Sequence, residues 1–123
     1  MQTRTKVVAV VDDDLSMLSA AENLLGAHGF ATLKFSSAEE FLGSGAAQRA
    51  DCLLLDIHLG SLSGFELRQK LKASHPNLPV VFMTALDDEA VRQQALQAGC
   101  VTFLHKPFPG RLLIDAIGKA VPE

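Results

Sequence analysis

The sequence contains no tryptophan and no tyrosine. A base-stacking platform for nucleic acid would have to rest on phenylalanine alone. Basic charge is also short. Eleven Lys and Arg against 14 Asp and Glu give a formal net charge of −3 at pH 7, with a pI near 5.7. Proteins that grip a phosphate backbone usually show a basic face, so direct nucleic-acid binding by this chain is not expected. There are only two cysteines, Cys52 and Cys100, far apart and each in an apolar context. They are too few and too distant for zinc and read as buried reduced thiols. No apolar run approaches the ~20 residues needed to span a membrane. The N-terminus, Met1-Gln2-Thr3-Arg4-Thr5-Lys6, lacks a signal-peptide cleavage pattern, so a cytoplasmic chain is expected. Internal repeats and low-complexity tracts are missing too.

What is there is a chain of 123 residues, 48% hydrophobic. That suits one ordinary domain over residues 1–123 that fills a core without staples, with Val121-Pro122-Glu123 a possible linker start. Strand-like and helix-like segments alternate throughout. Lys6–Val11, Ala31–Phe35, Cys52–Asp56, Pro79–Thr84 and Val101–His105 read as short buried strands. Leu15–His28 has apolar Leu18, Ala21, Leu24 and Leu25 at helical spacing, and His28-Gly29 ends it. Ser37-Ala38-Glu39-Glu40 is a capping box opening a short helix through Leu42, followed by a small-residue loop over Gly43–Ala50. Gly64–Ala73 is a helix stopped before His75-Pro76. Asp87–Ala98 is a helix with two acids in its first turn. Pro109–Ala120 is the last helix, with Leu112, Leu113, Ala116 and Ile117 on one face. Five βα units with short connections fit an α/β fold with a doubly wound parallel sheet.

The polar residues at the strand ends carry the chemistry. Asp12 and Asp13 follow the first apolar run, Asp56 the third, Thr84 the fourth, and Lys106-Pro107 the fifth. In a parallel sheet these all project from one edge, beyond the carboxyl ends of the strands, where open α/β sheets bind ligands. Clustered carboxylates repel unless a cation joins them, so this array reads as a divalent-metal site. Taken alone, each residue has a plainer reading. The three consecutive acids fit a helix cap, with Asp14 the expected capping residue. Asp56 fits a solvated strand end, Thr84 a turn hydroxyl, and Phe103 a core side chain.

The segments Val11-Asp12-Asp13-Asp14, Leu55-Asp56, Thr84-Ala85 and Lys106-Pro107-Phe108 stand in order, each at a strand end. Together they resemble the response-regulator receiver domains of two-component signalling over essentially the whole chain. The stretch Gln97 to Phe108 resembles those that precede LuxR-type helix-turn-helix outputs. The resemblance implies a flavodoxin-like (βα)5 fold with strand order 2-1-3-4-5. It implies a phosphoryl acceptor at Asp56, a carboxylate nucleophile. It implies Mg²⁺ held by Asp12, Asp13, Asp56 and the backbone carbonyl of His58. Lys106 and Thr84 would meet phosphoryl oxygens, Thr84 and Phe103 would act as switch residues, and the Lys106–Pro107 peptide would be cis. The implied partners are a sensor histidine kinase, a second copy of the chain upon phosphorylation, and a DNA-binding output domain outside this chain. The output surface would comprise Asp87–Ala98, Val101–His105 and Pro109–Ala120. Such a protein catalyses its own phosphoryl transfer without being a turnover enzyme.

Beginning at Met1, the chain is expected to be a free-standing phosphorelay receiver or the N-terminal receiver of a longer regulator. Two other classes compete. A haloacid-dehalogenase-type phosphatase also uses an aspartate nucleophile, but expects a second Asp two residues on, where this chain has His58. The other is an interaction module on the same fold that is never phosphorylated, which the full set of site residues disfavours. His58 itself reads as a solvent-facing loop side chain. Receivers often carry Met-Pro three and four residues after the acceptor. Here Leu59-Gly60 stand there, which should loosen the loop, while Gly64 keeps its place. Apolar Leu86 sits two residues after Thr84, where hydrolysis-promoting polar groups can lie. A long-lived phosphoryl group is expected on that ground; a half-life of seconds for the purified phosphoprotein would contradict it.

Overall fold

The computed structural model describes residues 4–60, 62–86 and 88–121. Five strands alternate with five helices: β1 (Val7–Val11), α1 (Leu15–Ala27), β2 (Ala31–Phe35), α2 (Ala38–Ser44), β3 (Cys52–Asp56), α3 (Gly64–Ser74), β4 (Val80–Thr84), α4 (Glu89–Gln97), β5 (Thr102–His105) and α5 (Gly110–Ala120). All pairings are parallel, in the order β2-β1-β3-β4-β5. The doubly wound sheet and its strand order are therefore as expected.

Successive residues of a strand point to opposite faces, and both faces here are covered. Val8, Val10, Leu54, Val81 and Met83 pack under α1 and α5 with Leu18, Leu25, Leu113 and Ile117. Ala9, Val11, Leu53, Leu55, Val80 and Phe82 pack under α2, α3 and α4 with Phe41, Leu67, Leu71 and Ala95. Every residue of β3 and β4 is buried. This explains why those strands read as unbroken apolar runs rather than alternating ones.

The element bounds differ from expectation where local hydrogen bonding decides. Strands β1, β4 and β5 each begin one residue later than the apolar runs suggest, at Val7, Val80 and Thr102. The segment Gly43–Ala50 is not a plain loop. Helix α2 runs on to Ser44, whose hydroxyl donates to the Phe41 carbonyl (2.7 Å) and accepts from the Ala46 amide (3.0 Å), and Ala46–Gln48 form a 3₁₀ turn with Ala46 fully buried. Ser37 caps Glu40 as expected, but the Glu40 carboxylate takes the Ser36 amide (2.7 Å) instead of closing the box on Ser37. A complete capping box sits at α3, where Ser63 and Glu66 exchange bonds of 3.0 and 3.1 Å. In α5 the buried residues are Leu113, Ala116 and Ile117, while Leu112 is 38% exposed and lies off that face. Helix α4 starts at Glu89 with Asp88 as its cap, so one acid occupies its first turn; Asp87 lies outside the described residues, as do Pro122 and Glu123 of the suggested linker.

Arg68 was not anticipated. It lies on the buried side of α3 with Leu67 and Leu71, and is only 7% exposed. Its guanidinium donates to the Leu78 carbonyl (3.2 Å) and the Gly99 carbonyl (3.4 Å), tying α3 to the start of β4 and to the end of α4. Its Nε has no hydrogen-bond partner among the described residues, and burial pushes its pKa down. Both cysteines are free: Cys52 is buried, its thiol pushed up to about 12 by desolvation, and Cys100 is half-buried. Among the described residues no helix is long and apolar enough to cross a membrane.

Gly64 opens α3 directly against the end of β3, its amide donating to the Ile57 carbonyl (2.8 Å). A Cβ there would lie 2.5 Å from the Asp56 carbonyl oxygen and 2.9 Å from Ile57 Cα, both backbone atoms that cannot yield cheaply. Gly64→Ala should therefore cost about 1–3 kcal/mol, the usual range for overpacking. Urea unfolding followed by far-ultraviolet circular dichroism checks this, and an unchanged midpoint would contradict it.

Candidate functional site

The strand ends converge as the sequence suggests. Asp12 follows β1 and is fully buried, its amide donating to the Phe35 carbonyl (3.1 Å). Its Oδ1 accepts the Asp14 amide (2.9 Å), which turns the chain toward α1. Asp14 caps that helix, accepting from Ser16 (2.9 Å) and Met17 (3.4 Å), as expected of it. That leaves Asp13 exposed beside the cleft. Asp56 closes β3 at 6% exposure and accepts the His58 amide at Oδ1 (3.0 Å). Lys106 follows β5, and its amide donates to the Thr84 carbonyl (2.7 Å). The Lys106–Pro107 peptide is cis.

The Lys106 ammonium joins two of the acids. It lies 2.6 Å from Asp12 Oδ2 and 3.1 Å from Asp56 Oδ2. The carboxylates of Asp12, Asp13 and Asp56 offer oxygens that all lie within 4.8 Å of one another. Such a set of hard oxygen donors, collectively over-charged, fits Mg²⁺ or a similar divalent cation. Burial raises the pKa of Asp56, and the Asp12 charge adds to that; the His58 amide and Lys106 oppose it. Burial works against the Lys106 ammonium, but its bonds and attraction to Asp12 and Asp56 outweigh this and hold its pKa above the ordinary lysine value.

Thr84 is fully buried, and its hydroxyl accepts the Leu86 amide (3.1 Å). It stands at the same edge, engaged with the chain leading into α4. Phe103 lies apart from the acids. Its half-buried ring packs on the α2–α4 side of the sheet, in register with Phe82, with the Arg92 guanidinium carbon 5.9 Å from its centroid. The His58 side chain is exposed, as expected; its amide, not its side chain, reaches Asp56.

The loop after Asp56 follows its own path. Leu59 is 4% exposed and anchors it in the core, while Gly60 takes φ +64°, which a proline fixed near −65° could not adopt. Beside the acids, an open groove of about 380 Å³ is lined by Asp14, Met17, Ala85, Lys106, Pro107 and Phe108. Arg92 and Arg68 are the residues that sequence reasoning missed. Arg68 had a signal, since it falls on the same helical stripe as Gly64, Leu67 and Leu71. Arg92 had none, because its contact is with another element.

A family model for the response regulator receiver domain matches residues 8–118. Nodulation protein W of Bradyrhizobium diazoefficiens is 36% identical over 111 residues, covering 90% of this chain and 49% of that protein. Response regulator protein TodT of Pseudomonas putida is 32% identical over 121 residues, covering 98% of this chain and 53% of that protein. The chain therefore spans about half the length of these curated relatives. Among solved structures, FixJ-N superposes with a TM-score of 0.85 at 31% identity, covering 96% of this chain and 94% of that one. The BeF3-activated DrrB receiver domain superposes at 0.89 with 26% identity, covering 98% of this chain and all of that one (100%).

The raised pKa of Asp56 has a consequence for stability. An acid whose pKa is higher folded than unfolded burdens the fold when ionised. The burden is full above the folded pKa, fades as pH falls through it, and is gone below about 3.9. Asp56→Asn should therefore melt at a higher temperature than the parent at pH 7 in the absence of divalent metal, with the gap narrowing under acid. Calorimetry at several pH values checks this, and a less stable Asn variant at pH 7 would contradict it.

Proposed function

Because the chain belongs to the response regulator receiver family, we propose that it is a phosphorylation-gated signalling switch that accepts its phosphoryl group at Asp56. The observation that carries this reading is the buried Asp56 carboxylate held between the Lys106 ammonium and a pair of acids at the strand edge. The donor is the phosphohistidine of a sensor histidine kinase. An Asp56 oxygen attacks phosphorus, an O–P bond forms, the P–N bond breaks, and the electron pair leaves with the imidazole.

Asp12, Asp13, Asp56 and the His58 carbonyl would hold Mg²⁺, which supplies positive charge against the carboxylates and the incoming phosphoryl oxygens. Lys106 supplies a second, fixed positive charge. Its contacts with Asp12 and Asp56 already aim it at the acceptor, and it pairs with a phosphoryl oxygen as a point charge. Asp12 Oδ2 accepts from that ammonium and keeps it oriented. The groove beside Lys106 gives the donor an open approach from the side of α1 and Phe108.

The new charge then competes for Thr84. Its hydroxyl, which accepts from the Leu86 amide, swings to donate its proton to a phosphoryl oxygen, and this pulls on the segment entering α4. Phe103 moves inward behind it. The surface of α4, β5 and α5 is remodelled and controls the output: a second copy of the chain, or a DNA-binding domain outside it. The location is the cytoplasm, where the kinase domain and the regulated DNA are accessible.

Intact-protein mass tests the core of this. With Mg²⁺ and acetyl phosphate the parent should gain one phosphoryl group, and it should gain none with chelator present or as Asp56→Asn. Lys106→Met should slow the gain on the order of 10²-fold, as loss of a charge-stabilising group does. No gain in the parent with Mg²⁺ present would overturn the reading.

A further inference from the structure

Helix α4 is weakly fastened to the sheet along its length. Of its residues only Ala95 is fully buried, with Val91 and Ala98 partly packed on the core beside it. Little apolar area therefore holds it down. Its two ends are held differently. The carbonyl of Gly99, just past the C-terminal end, is held by the buried Arg68, which is itself bonded to Leu78. The N-terminal end follows the Leu86 amide, which is bonded to Thr84.

Between these ends Arg92 reaches from α4 to β5. Its guanidinium carbon sits 5.9 Å from the Phe103 ring centroid, within the range of a cation–π contact. Glu89, one turn earlier, places a carboxylate oxygen 3.7 Å from Arg92 Nε and orients the guanidinium over the ring. Arg92 is otherwise exposed. Thus Phe103 touches α4 itself through Arg92, and Thr84 holds Leu86, in the segment that precedes the helix.

We propose that Arg92 is a positioning residue that holds the Phe103 ring in its half-buried place beside α4 and so sets the resting population of the switch. This rests on the reading of Thr84 and Phe103 as switch residues. When the ring leaves for the inner position it gives up the guanidinium, so the contact favours the unphosphorylated arrangement alone. A contact of this kind at a partly exposed site biases a two-state equilibrium by about two- to fivefold. Apparent affinity for anything that binds the activated state changes by the same factor.

The test is the midpoint of a beryllium fluoride titration of the full chain in Mg²⁺, this salt serving as a phosphoryl mimic, followed by ¹H–¹⁵N spectra and the Phe103 ring signals. Arg92→Gln should lower the midpoint about two- to fivefold. Arg92→Lys, which keeps a cation near the ring, should lie closer to the parent. In a Phe103→Leu background Arg92→Gln should change nothing, because the contact is already gone. An unchanged midpoint for Arg92→Gln in a chain that does respond to the mimic would overturn the proposal, and so would the same shift persisting without Phe103. A parent whose Phe103 ring signals stay still at saturation would overturn the switch reading, and this proposal with it. A parent that does not bind the mimic at all would overturn the phosphorylation reading itself.

Discussion

The Lys106 ammonium between Asp12 and Asp56 is the contact on which this site depends. Asp12 is fully buried and Asp56 nearly so, and two such carboxylates repel each other side by side unless a cation lies between them. The sheet makes that contact possible. Parallel strands put the residues that follow β1, β3 and β5 at one edge, and burial of both sheet faces leaves no other place for them to be solvated. The same burial that builds the core thus concentrates the charge. The lysine neutralises part of it, and the three clustered acids could hold a divalent cation for the rest.

Much of this is legible in the residues themselves. Strands β3 and β4 are continuous apolar runs because both of their faces are covered, so their ends, Asp56 and Thr84, stand out against them. Asp14 is recognisable as a cap because the run after it has helical spacing. What was not legible falls into two kinds. Strand starts at Val7, Val80 and Thr102 depend on where the neighbouring strand offers its carbonyls, which one strand's own sequence does not encode. The helical turns over Gly43–Ala50 depend on the Ser44 hydroxyl bridging Phe41 and Ala46, a local bond that small residues conceal. Leu112 misled because apolar neighbours in sequence need not share a helix face.

The two sides of the sheet are unequal, and the inequality has a direction. Helices α1 and α5 are each anchored by three buried residues, whereas α4 has Ala95 alone. Beneath α4 lie the aromatic contacts, Phe65 edge-on to Phe82 at 5.1 Å and Phe103 beside Phe82 in register. Rings can reorient as units where branched aliphatic side chains interlock. The side of the sheet facing α1 and α5 is built to stay put. The side facing α4 has one helix held by a single buried residue and a few polar contacts, over a surface that can repack.

The bond between Asp12 and Lys106 spans 94 residues of sequence. It closes most of the chain into a single loop, and a contact of such long range forms only after the intervening chain has been brought together. No fragment that stops short of β5 holds this pair. A chain still emerging from the ribosome, or one whose last βα unit has come undone, has its acids but not its lysine. The assembled charge cluster is therefore a property of the finished fold: the acids acquire their lysine only when the last βα unit is in place.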